Sequence, residues 1–231
     1  MKNGRSKIID LSYPLSSATL AYPGDPVVEI GCFKTIKTHG AAVSKISFGS
    51  HAGTHLDAPS HVIENGANLS RLSPVNYFGV GRCVDVRNRE QITEQDIPAD
   101  ISAGQAVFFC TGHARQWNNE QYYHLRPCLT VEAVDELLKK RVSMVGIDTP
   151  SVDQKGAQEK IIHRKLLGKE VLIFENLANL EQLPFDDMFV YFAGPISVED
   201  GDGAPARVFA FVGDEWLIES VINFKSNMAL L

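Results

Sequence analysis

Seven histidines occur in the 231 residues, and three of them share one short stretch with an aspartate: His51-Ala52-Gly53-Thr54-His55-Leu56-Asp57-Ala58-Pro59-Ser60-His61. Imidazole nitrogens and a carboxylate are the donor types that zinc or manganese take. A helix would place His51 and His55 one turn apart, but Gly53, β-branched Thr54 and Pro59 oppose a helix here. The spacing therefore predicts a bent, extended loop. In extended chain, residues of equal parity share a face, so His51, His55, Asp57 and His61 can point the same way. Straight chain would hold His51 and His55 about 13 Å apart. One shared ion thus requires a bend, for which Gly53 supplies the backbone freedom.

The elements that must position this stretch fall into two halves. Strand-like runs dominate the first: Ile8-Ile9-Asp10-Leu11-Ser12, Val27 to Ile30, the alternating Val43 to Phe48, and Cys83 to Val86, with turn residues such as Tyr22-Pro23-Gly24-Asp25-Pro26 between them. From Ala106 the pattern becomes strand, helix, strand. Val107 to Cys110 is one apolar run, Thr130 can cap a helix with Val131, Val134, Leu137, Leu138 and Val142 on its apolar face, and Met144 to Ile147 follows. This predicts a βαβ unit with parallel strands. A second helix is expected from about Gln158 to Leu167, ending at Gly168, then a buried strand over Val171 to Phe174 and two more over Met188 to Phe192 and Val208 to Val212. With no repeat or linker, the expectation is one mixed α/β domain over residues 1–231. The stretch from Gly112 to Pro127, with Trp117, Tyr122 and Tyr123, reads as a long insertion that either covers a binding site or is anchored by its own aromatics.

Composition narrows the function. Hydrophobic residues at 44% and charged residues at 22% mark an ordinary globular chain. The 22 Lys+Arg against 28 Asp+Glu, with no basic run, argue against a nucleic-acid partner. No apolar stretch approaches a membrane span or a signal peptide, so a cytoplasmic protein without membrane contact is expected. Cys32, Cys83, Cys110 and Cys128 form no CxxC pair, which argues against a thiolate zinc site.

His51 to His61 resembles the H-x-G-T-H-x-D-x-P-x-H signature of the cyclase family of metal-dependent hydrolases, which includes bacterial kynurenine formamidase and isatin hydrolase. The resemblance continues through Ile9-Asp10-Leu11-Ser12, Tyr22 to Pro26, Val145 to Asp153, His163-Arg164-Lys165-Leu166-Leu167 and Glu175-Asn176-Leu177. It implies the family's swivelling β/β/α fold and a homodimer or homotetramer. It further implies that His51, His55 and Asp57 bind a first divalent ion, zinc or manganese. Asp57 would bridge to a second ion held by His163, with Glu175 as a second bridging carboxylate. One or two ions per chain are open. His61 corresponds to the family's proton donor and acceptor, and Tyr22 stands where the formamidases carry a substrate-contacting Trp.

Such a centre would hydrolyse an amide, cyclic amide or lactone of a small molecule through metal-bound hydroxide, with His61 moving the proton. The alternatives are a metal-dependent cyclase or dehydratase and a non-catalytic metal- or ligand-binding protein. A pure binder has no use for an unligated proton-transfer histidine. Glu199, Asp200 and Asp202 are expected to form an exposed acidic turn. Asp148 and Asp153 are expected to order the turn around Pro150, and His113 and His124 receive no role.

Overall fold

The computed structural model describes residues 6–157, 159–185 and 187–228. Residues 1–5, part of the N-terminal stretch read for a signal peptide, and Gln158, the expected start of the second helix, lie outside them. In chain order the first half holds β1 (Lys7–Asp10), β2 (Glu29–Lys34), α1 (Ile36–His39), β3 (Val43–Ser47), β4 (His55–Asp57), β5 (Phe78–Asp85) and β6 (Gln91–Ile92). The second holds β7 (Ala106–Cys110), β8 (Cys128–Leu129), α2 (Val131–Lys139), β9 (Met144–Ile147), α3 (Ile161–Leu167), β10 (Leu172–Glu175), β11 (Met188–Pro195), β12 (Gly203–Val212) and α4 (Glu215–Met228).

The expected strand–helix–strand unit is β7–α2–β9, and its strands are parallel neighbours. Thr130 caps α2, its side chain accepting from the Ala133 N–H. Alternation along β7 explains the continuous apolar run of that strand. Ala106, Phe108 and Cys110 belong to one buried cluster, and Val107 and Phe109 to another with Val134, Leu137, Ile162 and Leu166 of α2 and α3. Each central strand is therefore covered on both faces, as parallel strands must be.

Strands β5, β7, β9 and β10 run parallel, and antiparallel β4, β12 and β11 complete a ring, because β4 pairs with both β10 and β12. The sheet closes into a barrel. One edge of β12 is shared: Gly203 to Pro205 pair with β4, and Phe209 to Val212 pair with β1. The barrel interior is packed tightly against Gly146, where a Cβ would stand 2.6 Å from the Phe108 ring and 2.8 Å from the Leu177 side chain.

Several elements differ from expectation: α2 ends at Lys139, before Val142, α3 starts at Ile161, and β5 and β12 start earlier, at Phe78 and Gly203. Strand β2 starts at Glu29 rather than Val27, and the β2–β3 hairpin is exposed along its whole length. Val131 leaves the apolar face of α2 and is 38% exposed. Helix α4 was not foreseen; it seats Ile218 against Val80 and Val190. Among the described residues no helix is long and apolar enough to cross a membrane.

Candidate metal centre

The histidine-rich stretch is not one extended loop. Gly53 takes φ +64°, a left-handed conformation that turns the chain sharply between His51 and strand β4. Within β4, His55 and Asp57 share a face, as parity predicts, while Leu56 between them is fully buried in the barrel core. Pro59 to His61 then form a single 3-10 turn. The register of β4 does the next step: Glu175 lies opposite His55 on β10, and Gly203 lies opposite Asp57 on β12. Helix α3 brings His163 to the same point.

The resulting distances are close. His55 Nε2 lies 3.3 Å from Asp57 Oδ1 and 3.6 Å from Glu175 Oε2. His163 Nε2 lies 3.2 Å from Asp57 Oδ2 and 3.3 Å from Glu175 Oε1. His51 Nδ1 lies 2.8 Å from Asp57 Oδ1. All five side chains expected as ligands therefore converge, forming overlapping sets that offer ligand atoms mutually within 4.8 Å.

The donor set fits a divalent cation better than it fits a self-contained hydrogen-bond network. Four donors at about 2.1 Å from one centre stand about 3.4 Å apart in a tetrahedron, and the four contacts of His55 and His163 with the carboxylates span 3.2–3.6 Å. Asp57 Oδ2 is buried and makes no well-formed hydrogen bond among the described residues; its nearby polar neighbour is His163 Nε2 at 3.2 Å. A buried carboxylate oxygen left without a partner is costly unless something else satisfies it.

Supporting groups fix the imidazoles. Gly53 O accepts from His55 Nδ1 at 2.8 Å, and a carbonyl cannot donate, so Nδ1 carries a proton and Nε2 is the atom turned toward the cluster. Asn176 Nδ2 donates to the same carbonyl at 2.8 Å. Tyr122, fully buried, donates to Asn176 Oδ1 at 2.9 Å. Asp153 Oδ2 accepts from His163 Nδ1 at 2.5 Å, aiming Nε2 in turn. Glu175 Oε1 accepts from the Val152 N–H at 2.7 Å.

Electrostatics follow from this crowding. Burial by itself would lower the His163 pKa, but the charges of Glu175, Asp153 and Asp57 outweigh it and hold the imidazole protonated well above its ordinary range. His51 is likewise opposed by burial, yet its hydrogen bonds to Asp202 and Asp57 push it up to about 10. Burial would raise the Asp57 carboxyl, and the adjacent His163 and His51 imidazoles reverse this and keep it ionised. Without a cation, imidazolium protons balance the carboxylates. A divalent ion supplies that charge directly and must displace those protons.

Two expectations need correction. Asp202 is not part of an exposed acidic turn: its Oδ2 lies 3.0 Å from His51 Nε2 and 3.6 Å from His61 Nδ1, and it lines the cavity. Glu199 and Asp200 are exposed. Asp202 differs because Gly203, paired opposite Asp57, has no side chain; a Cβ there would stand 2.7 Å from His51 Cε1. Nor do Asp148 and Asp153 order the Pro150 turn. Asp148 accepts from the N–H groups of Thr111 and Gly112, tying β9 to the end of β7, and Asp153 holds α3 and His163. The flanking glycines of Asp202 were the available sequence signal; Asp153 had none, because its partners lie nine and ten residues away across a turn.

The cluster opens into a cavity of about 400 Å³ whose other walls include Tyr22, Tyr123, Asp25 and Lys160. His61 stands at its side, its ring 4.0 Å from that of His51 and 5.7 Å from that of His163. The Gly112 to Pro127 insertion is anchored by its aromatics: Trp117 stacks on Tyr13 at 4.0 Å, while Tyr123 meets Tyr22 edge-on at 5.6 Å. His113 and His124 line a separate cavity, with Tyr122 O and Lys155 as their respective partners.

Residues 9–154 match the Cyclase family model, described as "Putative cyclase". The chain is 28% identical over 205 residues to a kynurenine formamidase of Bacillus cytotoxicus, covering 87% of this chain and 96% of that one. It is 29% identical over 203 residues to a kynurenine formamidase of Bacillus anthracis, with the same coverage. Among solved structures, isatin hydrolase A from Ralstonia solanacearum superposes with a TM-score of 0.80 at 25% identity, over 90% of this chain and 92% of that one. A structure described as a potential metal-dependent hydrolase with cyclase activity gives 0.77 at 26%, over 90% and 99%.

Proposed function

The chain belongs to the cyclase family, and from that premise we propose that it is a metal-dependent hydrolase of a small amide, cyclic amide or lactone, arylformamidase-like or isatin hydrolase-like. The observation that carries the reading is the convergence of His51, His55, Asp57, His163 and Glu175 in overlapping sets whose ligand atoms lie within 4.8 Å of one another. His51, His55, Asp57, His163 and Glu175 would hold one or two divalent ions, and zinc and manganese both suit three imidazoles with two carboxylates. When bound, such an ion polarises a substrate carbonyl and brings the pKa of a coordinated water toward neutrality.

The chain's own residues do the rest. Tyr22 and Tyr123 form an aromatic wall against which a planar substrate lies. His61 Nδ1 faces Asp202, which leaves Nε2 to take a proton from the attacking water and return it to the leaving nitrogen or oxygen. Water adds across the acyl bond, giving a carboxylic acid and an amine or alcohol. The reading includes one domain over residues 1–231 and a cytoplasmic location, which four unpaired cysteines support. It also includes a homodimer or homotetramer. A two-stranded hairpin is marginal alone, yet β2 and β3 expose Ile30, Phe33, Val43 and Ile46.

The test separates ligand from proton carrier. Asp57→Ala should lose metal and activity together, whereas His61→Ala should keep its metal while hydrolysis of N-formylkynurenine or isatin slows about 10²–10⁴-fold. Metal lost from His61→Ala, or full metal in Asp57→Ala, would overturn the assignment.

A further inference from the structure

Away from the cluster, the cavity wall carries two charged side chains, Lys160 and Asp25. Lys160 immediately precedes α3 and takes φ 48° and ψ 50°, a strained region for a residue with a Cβ. The strained backbone still serves the helix, since Lys160 O accepts from the Arg164 N–H at 2.9 Å. The side chain meets no such demand: Nζ sits 5.6 Å from the centre of the Tyr22 ring and has neither an ion-pair nor a hydrogen-bond partner among the described residues. Arg126, the other cation against Tyr22, is engaged, its guanidinium donating to the carbonyls of Tyr123 and Asp153. Asp57, Glu175 and Asp202 are matched by the imidazoles around them. Lys160 is thus a half-buried ammonium over an aromatic face, three residues before His163, open to an anion that enters the cavity.

We propose that Lys160 is a specificity-determining residue that binds a carboxylate carried by the substrate while the scissile carbonyl lies at the metal cluster. This rests on the hydrolase reading of the same cavity. It assigns the substrate class as an anionic acyl amide, with the aromatic part of the molecule along Tyr22 and the carboxylate on Lys160. Asp25 on the same wall admits an ammonium beside that carboxylate and opposes a second anion.

The test compares N-formylkynurenine with its carboxamide, two molecules that differ only at the anionic group, on the metal-loaded enzyme. The ratio of their kcat/KM values is read on one preparation, so any loss of folded protein cancels. Wild type should prefer the acid. Lys160→Met should lower that preference about tenfold, the size of one charge-assisted hydrogen bond at a partly exposed site. Lys160→Arg should retain most of it, and Lys160→Glu should reverse it. Lys160→Gly, which the left-handed backbone accommodates, serves if the Met variant does not fold. A ratio unchanged in Lys160→Met or Lys160→Gly overturns the proposal. If wild type cleaves neither compound, the hydrolase reading fails for this substrate, and calorimetric binding of kynurenine and kynurenine carboxamide then decides Lys160 separately. Tighter binding of the acid that disappears in the variant supports it, and equal preference in both proteins overturns it.

Discussion

Replacing Asp153 by Asn probes how the cluster is held without touching a proposed ligand. Asp153 is 2% exposed and uses both oxygens: Oδ1 accepts from the Ile162 N–H at 2.9 Å, and Oδ2 accepts from the His163 N–H at 3.2 Å and from His163 Nδ1 at 2.5 Å. An asparagine keeps one acceptor and substitutes an NH₂ for the other. If the NH₂ replaces Oδ2, it faces two donors of His163, and the imidazole must move its proton to Nε2, the atom aimed at Asp57 and Glu175. If the NH₂ replaces Oδ1, it faces the Ile162 N–H. Either orientation leaves a buried donor opposed by a donor, which costs about 1–3 kcal/mol of folding stability. Loss of the carboxylate behind a ligating imidazole lowers metal affinity about 10–100-fold, equivalent to about 1.4–2.7 kcal/mol. Calorimetric titration with zinc and with manganese at fixed pH reads the second quantity, and thermal unfolding of the metal-free protein reads the first. Wild-type metal affinity in a folded Asp153→Asn protein would refute the reasoning, because His163 would then not depend on Asp153 for its orientation.

Gly203→Ala places a methyl group 2.7 Å from both His51 Cε1 and the Leu56 carbonyl, so it should displace His51, weaken metal binding and lower the melting temperature; a variant with unchanged metal content would contradict this contact. In metal-free protein the His51 pKa is raised to about 10, so its contribution to stability is fully present below its unfolded value of about 6.5 and is lost as pH rises through about 10. Chelated protein should therefore melt progressively lower between those pH values, and a melting temperature flat across that window would count against the His51 pairings. Phe33 is 66% exposed and Ile46 is 54% exposed on the β2–β3 hairpin. Phe33→Asp with Ile46→Asp should convert the proposed oligomer to monomer in light scattering, whereas a wild-type protein that is already monomeric would remove the hairpin's assigned role.

Much of the site was legible because its signals are local. His51, His55 and Asp57 lie within seven residues, Gly53 and Pro59 exclude a helix, and period-two parity aligns His55 with Asp57 on β4. The β7–α2–β9 unit was equally legible, since a capping threonine and a helical stripe between two apolar runs can satisfy their hydrogen bonds and bury their faces in one way. His163 and Glu175 came only with the family resemblance; as isolated residues, a helical histidine and a strand-end glutamate carry no mark of ligation. Asp202 and Asp153 were misread for a related reason. An acidic residue near glycines looks solvated until pairing of β4 with β12 lays Gly203 beside Asp57, and Asp153 looks like a turn residue until α3 sets two N–H groups and an imidazole against it. The sequence by itself determined which donor atoms exist, which neighbours share a face and which segments are apolar, because backbone sterics and period act over a few residues. Only the tertiary structure decided which distant side chains converge. Barrel closure through β4 is set by strand register, and register depends on the simultaneous burial of both faces of the sheet.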